Sequence, residues 1–386
     1  MIKDRIAMLT HTQARPRLLD QGQAVELDLV GGAHRFHAMW LRDNAQDAAT
    51  RSPGNGQRLI TLLDIPSDTR IASAEWVDDC LKVRFAPEDK VVEFAADWLQ
   101  AHCYDRRGAC EAGWTSGIVT RWDADLAGTL VVAHYDAVRD DPAARLNWLR
   151  TIRRRGFARM TGVPALDGAP AAIAALFGYV RETNYGRIFD VRAEVNPSNL
   201  AYTNLGLQAH TDNPYRDPVP GYILLHCLEN DADGGDSTLV DGYHAAAILR
   251  RDNPEAFETL ATTDVTFRYH DETAFLEHHC PLIECNAAGD VMQIRYSNRT
   301  EMVGRLPVER LERYYAARAH FWNLIAPSSP LTLRFRLQPG ELLMMDNYRL
   351  LHGRTGYTLA TGSRHMRQCY LDRDAVGSRR RLLQPA

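Results

Sequence analysis

The chain lacks the features that would place it outside the ordinary globular class. No apolar run approaches the length of a bilayer span, so a membrane helix is excluded. The opening Met-Ile-Lys-Asp-Arg-Ile has no apolar core of the signal-peptide kind. Basic residues are not in excess: 45 Lys and Arg stand against 49 Asp and Glu, a formal net charge of −4. That balance leaves no electrostatic footprint for nucleic acid. Only seven cysteines occur, at 80, 103, 110, 227, 280, 285 and 369, an odd number in no disulfide-like array. A reducing cytoplasm is therefore expected. Repeats and low-complexity segments are absent too. What remains is 386 residues with 45% hydrophobic and 24% charged content. That is enough chain for a small domain and a larger catalytic one.

Candidate chemistry centres on Gln208-Ala-His-Thr-Asp-Asn-Pro-Tyr215. His210 and Asp212 are two apart, so on a strand, or in the extended chain just beyond one, both side chains point the same way. Among 14 His and 49 acidic residues a lone His-x-Asp arises readily by chance. It gains meaning from two residues far downstream: His352 in Leu351-His-Gly353, and Arg364 twelve residues later. Two imidazoles and one carboxylate on one face of a metal leave positions open, the arrangement of non-heme Fe(II) oxygenases. A guanidinium at 364 can clamp a carboxylate in bidentate fashion. Arg349, Arg354 and Arg367 are neighbouring candidates for that clamp.

Along the chain, Ala24–Val30 and His34–Trp40 read as a hairpin about Gly31-Gly32. Ile71–Trp76 and Leu81–Phe85 read as a second strand pair, and Phe94–Cys103 begins a helix. These define a small β-rich domain over 1–100, ahead of a catalytic domain over 101–386. In the latter, 142–155 and 171–180 read as helices. Tyr222–Leu228 is so apolar that it suits a strand buried on both faces. Residues 237–241, 331–337, 341–346 and 367–371 are strands; 243–252, 255–262 and 307–324 are helices. Many short strands with glycine turns indicate a sandwich or barrel. The 307–324 helix fits either a core stripe or a dimer face.

From about Asn184 onward the sequence resembles the 2-oxoglutarate/Fe(II) dioxygenases of the taurine-dioxygenase type. Within them it is similar to the γ-butyrobetaine and trimethyllysine hydroxylases, and to hydroxylases of (2-trimethylammonio)ethylphosphonate. The matching stretches include Tyr185-Gly186, Asn199-Leu-Ala-Tyr-Thr203, His210-Thr-Asp212, Gly234-Gly-Asp-Ser237, Asp346-Asn347, Leu351-His-Gly353 and Arg364-His365. Phe36-His-Ala-Met-Trp-Leu-Arg-Asp-Asn44 resembles the entry motif of the same family's first domain. The resemblance implies a mainly β fold, a double-stranded β-helix or jelly roll with flanking helices. It implies His210, Asp212 and His352 as Fe(II) ligands, and 2-oxoglutarate and O2 as cosubstrates. Arg364 would hold the 2-oxoglutarate C5 carboxylate, with Ser237 assisting. Tyr185, Phe189, Tyr202 and Tyr370 fall on the positions of an aromatic cage for a quaternary ammonium group. Asn199 and Asn298 fall on those of amides that hold the substrate's anionic end.

Two departures bear on the substrate. Relatives of this kind bind zinc in the first domain through several Cys and a His, but 45–54 contains no cysteine, so no zinc is expected. Arg299, next to Asn298, adds a cation suited to a phosphonate, which carries more charge than a carboxylate. Strict alternation would turn Arg299 away from Asn298, so it reaches the same anion only if the strand ends there. Arg187 is a second candidate cation. The expected activity is hydroxylation of a small trimethylammonium zwitterion, inclined toward the phosphonate, with γ-butyrobetaine as the alternative. A sulfonate dioxygenase fits the four aromatics poorly, and trimethyllysine lacks an acidic partner for its α-amino group. A metal-binding jelly roll without oxygenase activity is the reading from another class. No nucleic-acid or membrane partner is expected. A homodimer is expected by analogy with the family.

Overall fold

The computed structural model describes residues 14–105, 118–166, 168–193, 200–304 and 306–384. The chain divides into two compact units, Met1–Cys110 and Glu111–Ala386.

The first unit holds two three-stranded antiparallel sheets: Arg17–Leu19, Ala24–Leu29 and Gly32–His37, then Arg70–Val77, Cys80–Ala86 and Lys90–Ala95. Alternation in Ala24–Leu29 and Cys80–Ala86 sends Val25, Leu27, Leu81, Val83 and Phe85 into one core with Phe36, Leu41 and Phe94. The second hairpin strand stops at His37, and Ala38–Asp43 is helical rather than extended. Leu41 then meets that core from a helix face. The helix expected from Phe94 instead begins at Ala96, because Phe94 still pairs with Leu81. Within 45–54, polar side chains tie the chain to its surroundings. Asp47 accepts from Lys90 Nζ at 2.9 Å and from Thr50 Oγ1 at 3.0 Å. Beside it, Arg42 makes a two-pronged pair with Glu88 at 2.7 and 2.8 Å.

The second unit is built on two facing sheets. The larger runs Phe189–Val191, Arg364–Leu371, Tyr222–Asn230, Leu342–Asp346, Phe157–Thr161 and Val132–His134, with Val180–Arg181 also paired to Arg364–Leu371. The smaller runs Leu207–His210, Leu350–Arg354, Ser237–Asp241 and Thr332–Phe335. Neighbours are antiparallel throughout, except Val132–His134 against Phe157–Thr161. Two antiparallel sheets closing on one another form the expected jelly roll.

The apolar Tyr222–Asn230 strand is buried on both faces. Ile223 and Cys227 meet Leu239, Leu333 and Leu343 between the sheets. Leu224 faces outward to Ile152, Ile173 and Phe177, which belong to the helices Pro142–Arg155 and Ala169–Phe177. Both helices carry proline in the first turn, where its missing N–H costs nothing. The helix Val308–Ile325 buries Tyr314, Ala317, Phe321 and Ile325 at helical spacing. Its stripe is therefore core, while Tyr315 is exposed. No described helix is long and apolar enough to cross a membrane.

Candidate active site

The sheets position the metal-binding candidates through register. His210 ends its strand and lies directly opposite His352 on Leu350–Arg354. Their rings are 4.3 Å apart between centroids. Three strands must approach closely here: a Cβ on Gly353 would stand 2.5 Å from Leu207 O and 2.9 Å from Thr238 Oγ1. Asp212 lies just past the strand end, before Asn213, whose φ is +51°. Asn347 fixes it there, accepting from Asp212 N at 2.7 Å and donating to Asp212 O at 2.9 Å. It also donates to Pro220 O at 3.0 Å.

The ligand atoms converge. Asp212 Oδ1 is 3.5 Å from His210 Nε2 and 3.6 Å from His352 Nε2. Among the described residues this trio is the one group of three or more His, Cys, Asp or Glu whose ligand atoms all fall within 4.8 Å. Gln208 O at 2.8 Å fixes His210 Nδ1 as the protonated nitrogen, leaving the Nε2 lone pair toward Asp212. Burial, and then the Arg299 charge, lower the His210 pKa. Burial and His210 pull His352 down to about 3. Asp212 is held well below the usual carboxylate range, because His352 and His210 outweigh the desolvation that would raise it. At neutral pH the trio is thus two neutral imidazoles and one carboxylate, the protonation states in which these groups ligate.

These groups open into a cavity of about 440 Å³, lined from both sheets. Arg364 and Ser237 line it. The Arg364 Nε donates to Gly235 O at 3.0 Å, and a Cβ on Gly235 (φ +73°) would stand 2.8 Å from Arg364 Cδ. Arg364 is buried, which lowers its pKa, and no described carboxylate pairs with it. Such a cation suits an anionic ligand. The other clamp candidates are engaged elsewhere. Arg349 is buried on Asp241 at 2.6 and 2.9 Å, and Arg367 pairs with Asp190. Arg354 does line the cavity, but it donates to the carbonyls of Leu200, Ala201, Thr203 and Leu205. It thereby holds the Leu200–Tyr202 turn.

Tyr185, Phe189, Tyr202 and Tyr370 all line the same cavity. Phe189 lies 5.5 Å from both Tyr185 and Tyr370, ring to ring. Tyr215, which ends the Gln208–Tyr215 stretch without an assigned role, and Tyr269 extend the wall, stacked at 5.1 Å. The Tyr185 hydroxyl is 3.0 Å from that of Tyr215, which donates to Asn213 Oδ1 at 2.7 Å. The strand Val291–Ile294 ends well before Asn298, so alternation does not govern Arg299, and Arg299 lines the cavity. Asn298 does not line it: it is exposed and donates to Gln208 Oε1 at 2.6 Å. The turn that brings Arg299 inward carries its neighbour outward. Arg187 is exposed and does not line the cavity. Asn199 lies outside the described residues. Gln368, on the Arg364–Leu371 strand, is a further lining residue absent from the expected set; it lies two residues after Met366 and two before Tyr370, the spacing of one face.

Residues 123–370 match the family described as "Taurine catabolism dioxygenase TauD, TfdA family". The chain belongs to this dioxygenase family. It is 34% identical over 354 residues to the γ-butyrobetaine dioxygenase of Pseudomonas sp. (strain AK-1), covering 92% of each chain. Identity to the human γ-butyrobetaine dioxygenase is 33% over 361 residues, covering 90% of this chain and 91% of that one. The trimethyllysine dioxygenase of Meyerozyma guilliermondii is 29% identical over 384 residues, covering 94% of each. With the His-Asp-His trio in the cavity, this family member is an Fe(II)- and 2-oxoglutarate-dependent oxygenase.

Proposed function

We propose that the protein hydroxylates a small trimethylammonium zwitterion, with (2-trimethylammonio)ethylphosphonate as the favoured substrate. The observation that carries the reading is that one cavity combines the His210–Asp212–His352 trio with aromatic walls and a cation, Arg299. His210, Asp212 and His352 would hold Fe(II), which would supply the oxidative chemistry that turns substrate, 2-oxoglutarate and O2 into hydroxylated product, succinate and CO2.

The chain's own residues do the rest. A quaternary ammonium has no N–H to donate, so it is recognised by ring faces. Phe189 and Tyr370 supply such faces beside the metal trio, since the Tyr370 hydroxyl is 2.9 Å from Asp212 Oδ2. Burial and the Asp212 charge push the Tyr370 phenol well above its ordinary pKa, so it stays neutral. Arg364 fits the distal carboxylate of 2-oxoglutarate, and Ser237 adds a hydroxyl on the same lining. Arg299 fits the substrate's anionic end. A phosphonate, with more charge and three oxygens, suits a guanidinium better than a carboxylate does.

Arg299→Ala tests that assignment. We expect kcat/KM for the phosphonate to fall roughly 10–100-fold, as loss of a charged hydrogen bond would give. Turnover of γ-butyrobetaine should fall less. Equal losses on both substrates would remove Arg299 as the discriminating anchor. A second reading, γ-butyrobetaine hydroxylation to L-carnitine, is favoured by identities of 33–34% to dioxygenases of that name. A preference for γ-butyrobetaine in the unsubstituted protein would select it.

A further inference from the structure

We infer that Gln368 is a positioning residue for the metal: it holds the Asp212 carboxylate so that a single oxygen is left for the ion. The inference rests on the iron reading of the trio. Gln368 and Tyr370 stand two apart on the Arg364–Leu371 strand and share the face that lines the cavity. Gln368 Nε2 donates to Asp212 Oδ2 at 2.7 Å, and the Tyr370 hydroxyl donates to the same oxygen at 2.9 Å. Gln368 Nε2 also donates to the Tyr370 oxygen at 3.1 Å. The triangle closes in one sense only. An ionised carboxylate can only accept, so the amide must present its NH2 and the phenol its O–H. One amide hydrogen goes to Asp212, the other to the phenol oxygen, and the phenol hydrogen to Asp212.

The geometry divides the carboxylate between two tasks. Oδ2 is taken by two donors, while Oδ1 faces both Nε2 atoms at 3.5 and 3.6 Å. A carboxylate free to swing could bind the metal through both oxygens, occupying a position the cosubstrates need. Gln368 and Tyr370 are 7% and 2% exposed, so both donors are held in place by the packing around them. Of the two, Tyr370 also supplies a ring face to the proposed cage, whereas an amide offers no such face. Gln368 is thus the cleaner test of carboxylate positioning.

The decisive variant is Gln368→Met, which keeps length and volume but removes the donor. Mn(II), monitored by its paramagnetic signal, serves as the metal probe. Loss of an outer-shell partner should weaken Mn(II) binding 10–100-fold. Turnover should stay reduced even at saturating Fe(II), because a carboxylate free to swing would compete with the cosubstrates for the metal. Gln293→Leu is the control, since Gln293 is 4% exposed and lies away from the cavity. It should leave Mn(II) affinity unchanged. Gln368→Leu replaces the Met variant if the latter fails to fold. Unchanged Mn(II) affinity in a folded Gln368 variant would overturn the inference and leave the iron site standing. An equal loss in Gln293→Leu would also overturn it, as a general packing effect. Failure of the unsubstituted protein to bind Mn(II) would instead sink the metal reading.

Discussion

Arg364→Ala should raise the KM for 2-oxoglutarate on the order of 10²-fold, the cost of taking one partner from a buried charge pair. Binding of Fe(II) should be retained, because Arg364 touches none of the three ligands. The expectation comes from where the side chain sits. It begins the Arg364–Leu371 strand, and its Nε is spent on Gly235 O. It is 5% exposed, without a described carboxylate partner. A guanidinium left in that state is stabilised by an incoming anion, so cosubstrate binding and relief of the buried charge are one event. Arg364→Lys should recover only part of the loss, since an ammonium is a point charge and cannot form the planar two-pronged contact. Titration of 2-oxoglutarate against succinate formation checks both variants. A KM unchanged in Arg364→Ala would return the clamp to Arg354, the other of the four clamp arginines that lines the cavity.

Asp212→Ala should abolish turnover and weaken metal binding beyond the 10–100-fold expected of outer partners such as Gln368. The carboxylate is the charged member of the trio, and its Oδ1 is the atom both imidazoles face. Removing it leaves two neutral ligands for a dication. It also strands the donors of Gln368 and Tyr370, which now point at Oδ2. Metal titration and succinate assay together check this. A variant that still binds Fe(II) tightly and still couples would show that the ligand set lies elsewhere.

Much of this site was legible in the sequence, for reasons that differ by residue. His210, Asp212, His352 and Arg364 stand in an order and spacing specific to one chemistry. Apolar content carried Tyr222–Leu228, because burial on both faces leaves few polar residues in the run. The Ala38–Asp43 helix was not legible: Phe36-His-Ala-Met-Trp40 alternates enough to pass for a strand, whereas Ala38 and Leu41 reach the core from one helix face. Asn298 and Arg299 could not be sorted either, since a turn after Ile294 frees both from strand alternation. Gln368 carried no signal of its own. Its role comes from the facing of two sheets whose strands are far apart in sequence, although its spacing from Tyr370 was a usable clue. Asn347 is similar. It sat in a matching stretch with no assigned role, and it proves to be the side chain that holds the Asp212 backbone.

Hydroxylation of a trimethylammonium zwitterion is most directly tested by succinate formation in the Fe(II)-loaded protein with 2-oxoglutarate. The assay is run with no second substrate, with γ-butyrobetaine, and with (2-trimethylammonio)ethylphosphonate. We predict that a trimethylammonium zwitterion stimulates succinate release well above the 2-oxoglutarate-only rate, most strongly with the phosphonate, and that hydroxylated product accumulates in step. Stimulation by neither compound would contradict the claim.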